Sequence, residues 1–557
     1  MERIYRIFSL RPEDAANLSF TKLDFWLFFI AVMFFFSLLH KNKTVRSFYI
    51  TAVSLFFYYK TSGLSVIILG FSLLFNYFMG RGIYKTEKIA GRKWLVALAV
   101  IVNVLVLAYF KYAYFFTESF NAMFHTQHEV FNVMAYFQNG FSLEGKHSIV
   151  EQILVPAGVS FFTFTSISYI VDIHRKEVEP VRNFFDYTFF VTFFPHIILG
   201  PIAKAKDFIP QIRNEYQLDK NDFSWAVFQI VKGLMKKLIL ADYIAVHFID
   251  KVVDNPESYP GFVLIVAMWA YSLQIYGDFS GYTDMATGIA RLMGVKLMKN
   301  FNSPYKSVST ADFWRRWHIS LGSWLKNYLY IPLGGNRTGG FGSWFGITMI
   351  FLFLIFITQW YELLFVYIGL MSLYGIGILL IPNFKTYVYR DLNLLITMIV
   401  GGLWHNPDQN FVIWGAMNGI GLVVYKYWKK ISPYENSEKW LAHFWKILLT
   451  FNFITFTRIW FRLEGKEKPL QFLNRITDHF NFSVEAFNKM CTSFAPVLIV
   501  MLIGYIVHWL PERTKDRLLH VFTKMPVVIQ TVVVAIAVIF TYQIVADVSK
   551  QFVYFQF

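Results

Sequence analysis

The residue best placed to do chemistry is a histidine. His405 closes a run of a dozen apolar residues in NLLITMIVGGLWHNPDQNFVIWGAMNG (393–419) and is followed at once by Asn406-Pro407, where a helix stops. Burial at membrane depth penalises an ionisable side chain, so one that persists there is a functional candidate. A neutral imidazole in that place suits a general base acting on a hydroxyl nucleophile. The competing reading is a helix-end histidine bonded to a carbonyl at the interface.

A second histidine lies in SVSTADFWRRWHISLGSWLKNYLYIPLGGNR (307–337). Ser309 or Thr310 can cap a helix, and Trp314, Trp317, His318, Leu321, Trp324, Leu325 and Tyr328 recur on one helical face. Arg315, Arg316 and Lys326 fall off that stripe. One reading is an interfacial amphipathic helix with its aromatics in the headgroups. The other is a pocket in which Trp and Arg present His318 to a substrate and the arginines bind phosphates.

A third focus is YSLQIYGDFSGYTDMATGIARLMG (271–294), where Asp278 and Asp284 stand among apolar residues. Six apart, they share no helical face, which disfavours a two-carboxylate metal site. They are expected to support the structure by pairing with Arg291, Arg315 or Arg316, and Asp312 joins them in that supporting role. Glycines 277, 281 and 288 match no phosphate loop and suit close helix packing. In FFPHIILGPIAKAKDFIPQI (193–212), Pro195, Gly200, Pro201 and Pro210 interrupt an apolar stretch, as in a re-entrant segment.

What must position these residues follows from composition. Of 557 residues, 56% are hydrophobic and 16% charged, against about 25% charged in soluble globular proteins. An ordinary soluble enzyme is excluded, and the length has room for more than ten spans of roughly 20 residues. The expected fold is an all-α polytopic membrane bundle of spanning and re-entrant helices, embedded in a lipid bilayer. The 32 Tyr and 16 Trp suit its two lipid–water boundaries.

The net charge of +16 would suggest nucleic acid in a soluble chain. Here the cations gather in alternate loops, HKNKTVRS (40–47), RGIYKTEKIAGRKW (81–94) and HRKEVEPVR (174–182), which read as cytoplasmic. The 117–150 connection, with Lys146 its sole Lys or Arg, then lies outside, as does the amino terminus; KYWKK (426–430) and PERTKDR (511–517) fit the same scheme. No nucleic-acid partner is expected. MERIYRIFSLRPEDAANLSF has no early apolar core, so no removable signal peptide is expected. The single cysteine, Cys491, excludes a disulfide framework and a Cys/His metal array.

FFPHIILGPI, YSLQIYGDFSGYTDMATGIARLMG, FWRRWHISLGSWLKNYLYIPLGGNR and LLITMIVGGLWH together resemble the membrane-bound O-acyltransferase family, in its bacterial alginate O-acetyltransferase branch, with the teichoic acid D-alanyl transferases nearby. The resemblance runs from about residue 23 to about 475. It implies a membrane core over 23–475, an interfacial extension over 1–22 and further transmembrane helices over 476–557. It also implies a helix bundle around a tunnel, with acyl donor entering from the cytoplasm and acceptor from outside. By the family pattern His405 is the catalytic histidine and His318 the second essential one. Arg315, Arg316 and Lys326 would meet donor phosphates, and Trp314, Trp317 and Trp404 would form apolar walls.

No cofactor or metal is implied. The donor is expected to be acetyl-CoA or a phosphopantetheinyl carrier, and the site of action a bacterial cytoplasmic (inner) membrane. The acceptor is expected to be a polysaccharide, reached through a separate esterase-like transferase outside the membrane; the chain itself has no GxSxG motif. Alternatives are transfer of D-alanyl or longer acyl groups, and a transporter or flippase of an acylated intermediate.

Three features depart from the family pattern. Asn406-Pro407 follow the histidine where relatives have Gly, and His196 replaces a common Gln. The histidines are 87 residues apart, a longer gap than usual, and the excess near 340–388 reads as an inserted membrane hairpin.

Overall fold

Backbone amides and carbonyls shut away from water must bond one another, and this chain meets that demand with helices. The structure, a computed structural model, describes residues 2–9, 18–133, 135–136, 153–336 and 339–545, and among them there is no strand. Of the expected outside connection over 117–150, residues 134 and 137–150, Lys146 among them, lie outside the described residues, as does Arg337.

In chain order the helices are α1 (Glu2–Phe8), α2 (Leu23–Leu39), α3 (Lys43–Ser62), α4 (Val66–Lys85), α5 (Ile89–Phe124), α6 (Val159–His174), α7 (Phe184–Thr192), α8 (Ala205–Ile212) and α9 (Lys220–Met235). A π-helical stretch, Lys236–Tyr243 and Ala245–Ile249, carries α9 onward. Then come α10 (Gly261–Leu292), α11 (Thr310–Arg316), α12 (Ile319–Leu325), α13 (Phe341–Thr358), α14 (Glu362–Leu380), α15 (Phe384–His405), α16 (Gln409–Ile431) and α17 (Trp440–Arg462). The last five are α18 (Lys468–Asp478), α19 (Val484–Ser493), α20 (Ala495–Trp509), α21 (Glu512–Lys524) and α22 (Val527–Ile544).

Among the described residues six helical segments are long and apolar enough to cross a membrane, and α19 with α20, bent by 87°, makes a seventh if the pair is one span. The other helices are shorter or carry polar groups that face protein: α17 buries Thr450, Thr455, Thr457 and Arg458. The central element is α10, with 83% of its most apolar stretch buried, whereas in α14 the figure is 6%. That exposure puts α14 at the lipid-facing periphery, paired with α13, whose Ile347 and Ile350 pack on Ile396 and Ile399 of α15.

The interrupted stretch at 193–212 enters and leaves by one side. Asp186 near the start of α7 pairs with Arg213, just past α8, at 2.5 Å. Arg46 at the start of α3 donates to the carbonyl oxygens of Ile212 and Asn214, the latter at 2.7 Å. With nine residues α7 spans only about 13 Å, so the chain turns back within the protein.

Close packing of α9 on α10 sets the partners of the acids. A Cβ on Gly281 would lie 2.7 Å from the carbonyl oxygen of Gly233, so only glycine allows this approach. The acids of α10 therefore meet the lysines of α9 and its π-helical extension. Asp278 pairs with Lys237 at 2.5 Å, and Asp284 with Lys236 at 2.7 Å and Lys232 at 3.2 Å. This corrects the expected pairing with arginines: Arg291 instead bonds Asp222 at 2.9 Å, and Arg315 and Arg316 bond Asp312 at 3.5 and 3.0 Å.

Candidate functional site

The expected single helix through Trp314 and Tyr328 is broken at its centre. Between α11 and α12, His318 takes a left-handed conformation, φ 44°. The reason is tertiary: the segment at 300–302 supplies hydrogen bonds to the backbone on both sides of the break. Ile319 N–H donates to Asn300 O at 2.9 Å, and Asn302 N–H to Arg316 O at 2.9 Å. The Asn300 side-chain oxygen accepts from the N–H and hydroxyl of Ser320 at 3.0 and 2.9 Å. A strained non-glycine residue held by such surroundings is typical of functional sites.

The aromatic stripe faces protein, which corrects the interfacial-helix reading. Trp317, His318, Leu321, Trp324 and Leu325 are all buried, with His318 only 1% exposed. Trp324 stacks on Phe164 of α6 at 3.7 Å and donates to its carbonyl at 2.9 Å. The cations off the stripe behave differently. Arg315 is largely exposed, Arg316 is held by Asp312, and Lys326 stands exposed in a π-helical turn.

His405 ends α15, and Asn406 is already extended. In the preceding turn a Cβ on Gly402 would lie 2.2 Å from Phe411 O and 3.2 Å from Gly415 Cα, so Gly402 lets α15 cross α16 in contact, while Gly401 faces Leu325 of α12. The helix end is capped from α5. Lys111 Nζ donates to the carbonyl oxygens of Trp404 and His405 at 2.7 and 2.6 Å, and Tyr112 hydroxyl donates to Leu403 O at 2.6 Å. These bonds satisfy three carbonyls that a helix end leaves over and place a cation at its negative pole. Asp408 caps the start of α16 through Asn410 N–H at 2.6 Å, and the Asn410 amide donates to Leu463 O and Gly465 O, both at 2.8 Å. The loop after His405 is thus pinned on both sides.

The two histidines, distant in sequence, meet around Trp404. Its ring lies 4.9 Å from that of His405 and 6.2 Å from that of His318. His405, 4% exposed, is also packed edge-on against Trp414 at 5.3 Å and Phe461 at 5.6 Å. Phe279 of α10 closes on His318 at 4.6 Å. The Asn300 oxygen, already an acceptor, lies 3.3 Å from His318 Nδ1, so that nitrogen carries the proton and Nε2 the lone pair. Among the described residues neither His318 Nε2 nor Trp404 Nε1 has a hydrogen-bond partner. His196 is elsewhere, in the re-entrant segment between Phe193 and Phe208.

Lys111 and Tyr112 were missed from sequence, although a lone lysine within VLVLAYFKYAYFF was a signal of the same kind as His405. Lys111→Met should lower the turnover of the protein at least tenfold with little change in substrate KM, because charge-assisted bonds of this type contribute about 1.5–3 kcal/mol each. Lys111→Arg should retain part of the rate. Steady-state kinetics on detergent-purified protein distinguishes the two, and an unchanged turnover in Lys111→Met would remove the cap from the account.

Comparison with known proteins gives the context. A family model described as MBOAT, membrane-bound O-acyltransferase family, matches residues 106–374. The chain is 30% identical to a peptidoglycan O-acetyltransferase of Helicobacter pylori, over 82% of this chain and 78% of that protein. It is 36% identical to a probable alginate O-acetylase of Pseudomonas putida over 63% of this chain, and the match spans 59% of that relative's length. A teichoic acid D-alanyltransferase of Bacillus subtilis matches at 25% identity, over 54% of this chain and 66% of that protein.

Proposed function

The chain belongs to the membrane-bound O-acyltransferase family and is a multi-pass membrane acyltransferase, and from that premise we propose that it carries an acetyl group from a cytoplasmic thioester to a hydroxyl on the far side of a bacterial inner membrane. The observation that carries this reading is the convergence of two buried histidines on Trp404. The acceptor end is a polysaccharide or peptidoglycan glycan, reached through a separate protein outside the membrane. Acetyl is favoured over D-alanyl because the O-acetylating relatives match at 30 and 36% identity and the D-alanylating one at 25%.

In this scheme His405 takes the proton from the attacking hydroxyl. The hydroxyl oxygen bonds to the thioester carbonyl carbon, the carbon–sulfur bond breaks, and the same imidazolium returns the proton to the leaving thiolate. Neither a metal nor a bound cofactor enters these steps. The indole N–H of Trp404 is the donor suited to the carbonyl oxygen as it gains charge. His318, with its Nδ1 proton committed to Asn300, offers an acceptor; it orients the donor through one of the pantetheine amides rather than stabilising the oxyanion. Burial keeps water from the thioester. Arg315, Arg316 and Lys326 remain the residues proposed for the donor's phosphates, with Arg316 already oriented by Asp312.

A donor panel tests this. Purified protein is given labelled acetyl-CoA, acetyl-phosphopantetheinyl carrier and D-alanyl carrier, and the released thiol is counted. Thiol release from an acetyl donor alone supports the reading, release from the D-alanyl carrier alone moves it to the other branch, and release from none overturns it.

A further inference from the structure

Asn300 holds the break at His318 with one end of its side-chain amide and leaves the other end over. The residue is 1% exposed. The backbone N–H of Ser320 can only donate, so the atom it meets at 3.0 Å is the amide oxygen, and Nδ2 is the opposite end. That oxygen also accepts from the Ser320 hydroxyl at 2.9 Å and faces His318 Nδ1 at 3.3 Å. Nδ2 carries two N–H groups, and among the described residues it has no hydrogen-bond partner. An amide donor shut away from water without a partner is costly, and the donors drawn to its oxygen polarise the group and strengthen its N–H. The amide is held in place as well, because the neighbouring Phe301 ring packs on Phe279 and on Trp317, each at 5.1 Å.

Two more polar atoms at this place lack a partner among the described residues, His318 Nε2 and Trp404 Nε1. With the His318 proton on Nδ1, Nε2 is an acceptor, so a donor and an acceptor stand on two side chains in contact. A thioester carbonyl can answer only the donor. A secondary amide answers both, and in a pantetheine thioester the first amide nitrogen is two methylenes, roughly 4 Å, from the sulfur. The His318 ring lies 6.2 Å from that of Trp404, which is 4.9 Å from that of His405, a spacing that suits a thioester at Trp404 with its amide at His318. Asn300 also lies toward the side from which the donor comes. Ser303, three residues on, donates to Glu512 at 2.8 Å and accepts from Lys515 at 2.7 Å, both in the 511–517 loop that reads as cytoplasmic.

We propose that Asn300 is a donor-binding residue whose Nδ2 donates to the carbonyl oxygen of the first pantetheine amide, beside His318 Nε2, which accepts the amide N–H. The pair reads the part of the donor that CoA and a phosphopantetheinyl carrier share, and it fixes how far the arm enters before the thioester reaches His405. Asn300 thereby has two uses: its oxygen sets the tautomer and orientation of His318, and its nitrogen meets the substrate.

The inference rests on the acyl-transfer reading of the same site, and the experiment keeps the two apart. Full-length protein in detergent is given three short acetyl thioesters: S-acetyl-N-acetylcysteamine, which has the amide; acetylthioethyl acetate, an ester with the carbonyl but no N–H; and S-pentyl thioacetate, with neither. Released thiol gives kcat/KM for each. Asn300→Asp keeps the oxygen that Ser320 and His318 use but has no N–H. It should lower the ester-to-pentyl ratio by about 5- to 100-fold relative to the parent, the effect of leaving one buried partner unmade. Asn300→Ala should lower the ratio likewise and serves if Asn300→Asp does not purify. A purely structural Asn300, or one whose Nδ2 is occupied by water, would slow all three donors together and leave the ratio unchanged.

The ethyl thioether counterparts, which cannot transfer, are titrated alongside by intrinsic tryptophan fluorescence. Thiol release with an unchanged ratio removes Asn300 from donor binding and leaves the enzyme. A fall in the ratio for thioether binding without thiol release keeps the contact and counts against the chemistry. Absence of binding by the amide thioether, or an unchanged ratio in both measurements, overturns the proposal.

Discussion

Replacing His405 with alanine is expected to lower acyl transfer by about 10²- to 10⁴-fold, the contribution of a positioned general base. Donor binding and thermal midpoint in detergent should change little, because Lys111 and Tyr112 hold the end of α15 through backbone carbonyls rather than through the imidazole. His405→Gln, which keeps polarity and much of the volume, should be equally inactive. Rates measured in both variants at saturating donor decide the matter: near-normal transfer in either would exclude the proton role. His318→Ala should also reduce transfer strongly, but chiefly through donor KM, since that ring is proposed to orient rather than to accept the reacting proton.

The largest effect on stability is expected at Lys237. Its ammonium lies between Asp278 and Asp242 at 2.5 and 2.8 Å, with all three side chains 3% exposed or less. Lys237→Met fills the same space but removes the buried cation that both carboxylates face, so it should cost about 3–5 kcal/mol. The combined variant Lys237→Met, Asp278→Asn, Asp242→Asn removes every charge and should recover most of that loss, since replacing a whole buried ionic group is often close to neutral. Thermal unfolding of the purified variants reads both effects. A single variant as stable as the parent would mean that the carboxylates are not confined as described.

Much of this was legible in the residues themselves. The helix stop at His405 follows from Asn406-Pro407, and the re-entrant segment from its prolines and glycine. Close packing by glycines 277, 281 and 288 was legible too, because a missing Cβ has one plain physical use in an apolar helix. The break at His318 was not. Its aromatic spacing is helical, and only the side chain of Asn300, brought alongside by the fold, makes two short helices the better solution. Partners of the acids were equally hidden, since nothing local in α10 says that α9 will bring Lys232, Lys236 and Lys237 against it. Lys111 was visible but unread, and its role depends on a contact 293 residues away.

The central claim is that an acyl group crosses the protein from a thioester on one side to a hydroxyl on the other by way of His405. The direct measurement uses proteoliposomes with a hydroxyl-bearing glycan oligosaccharide and the extracytoplasmic transferase sealed inside and labelled acetyl thioester supplied outside. Vesicles are sorted by the orientation of the protein. The account predicts label on the enclosed sugar when the cytoplasmic loops face outward, none in the opposite orientation, and none with His405→Gln. Label confined to sugar on the same side as the donor, or label that crosses undiminished in the glutamine variant, would contradict it.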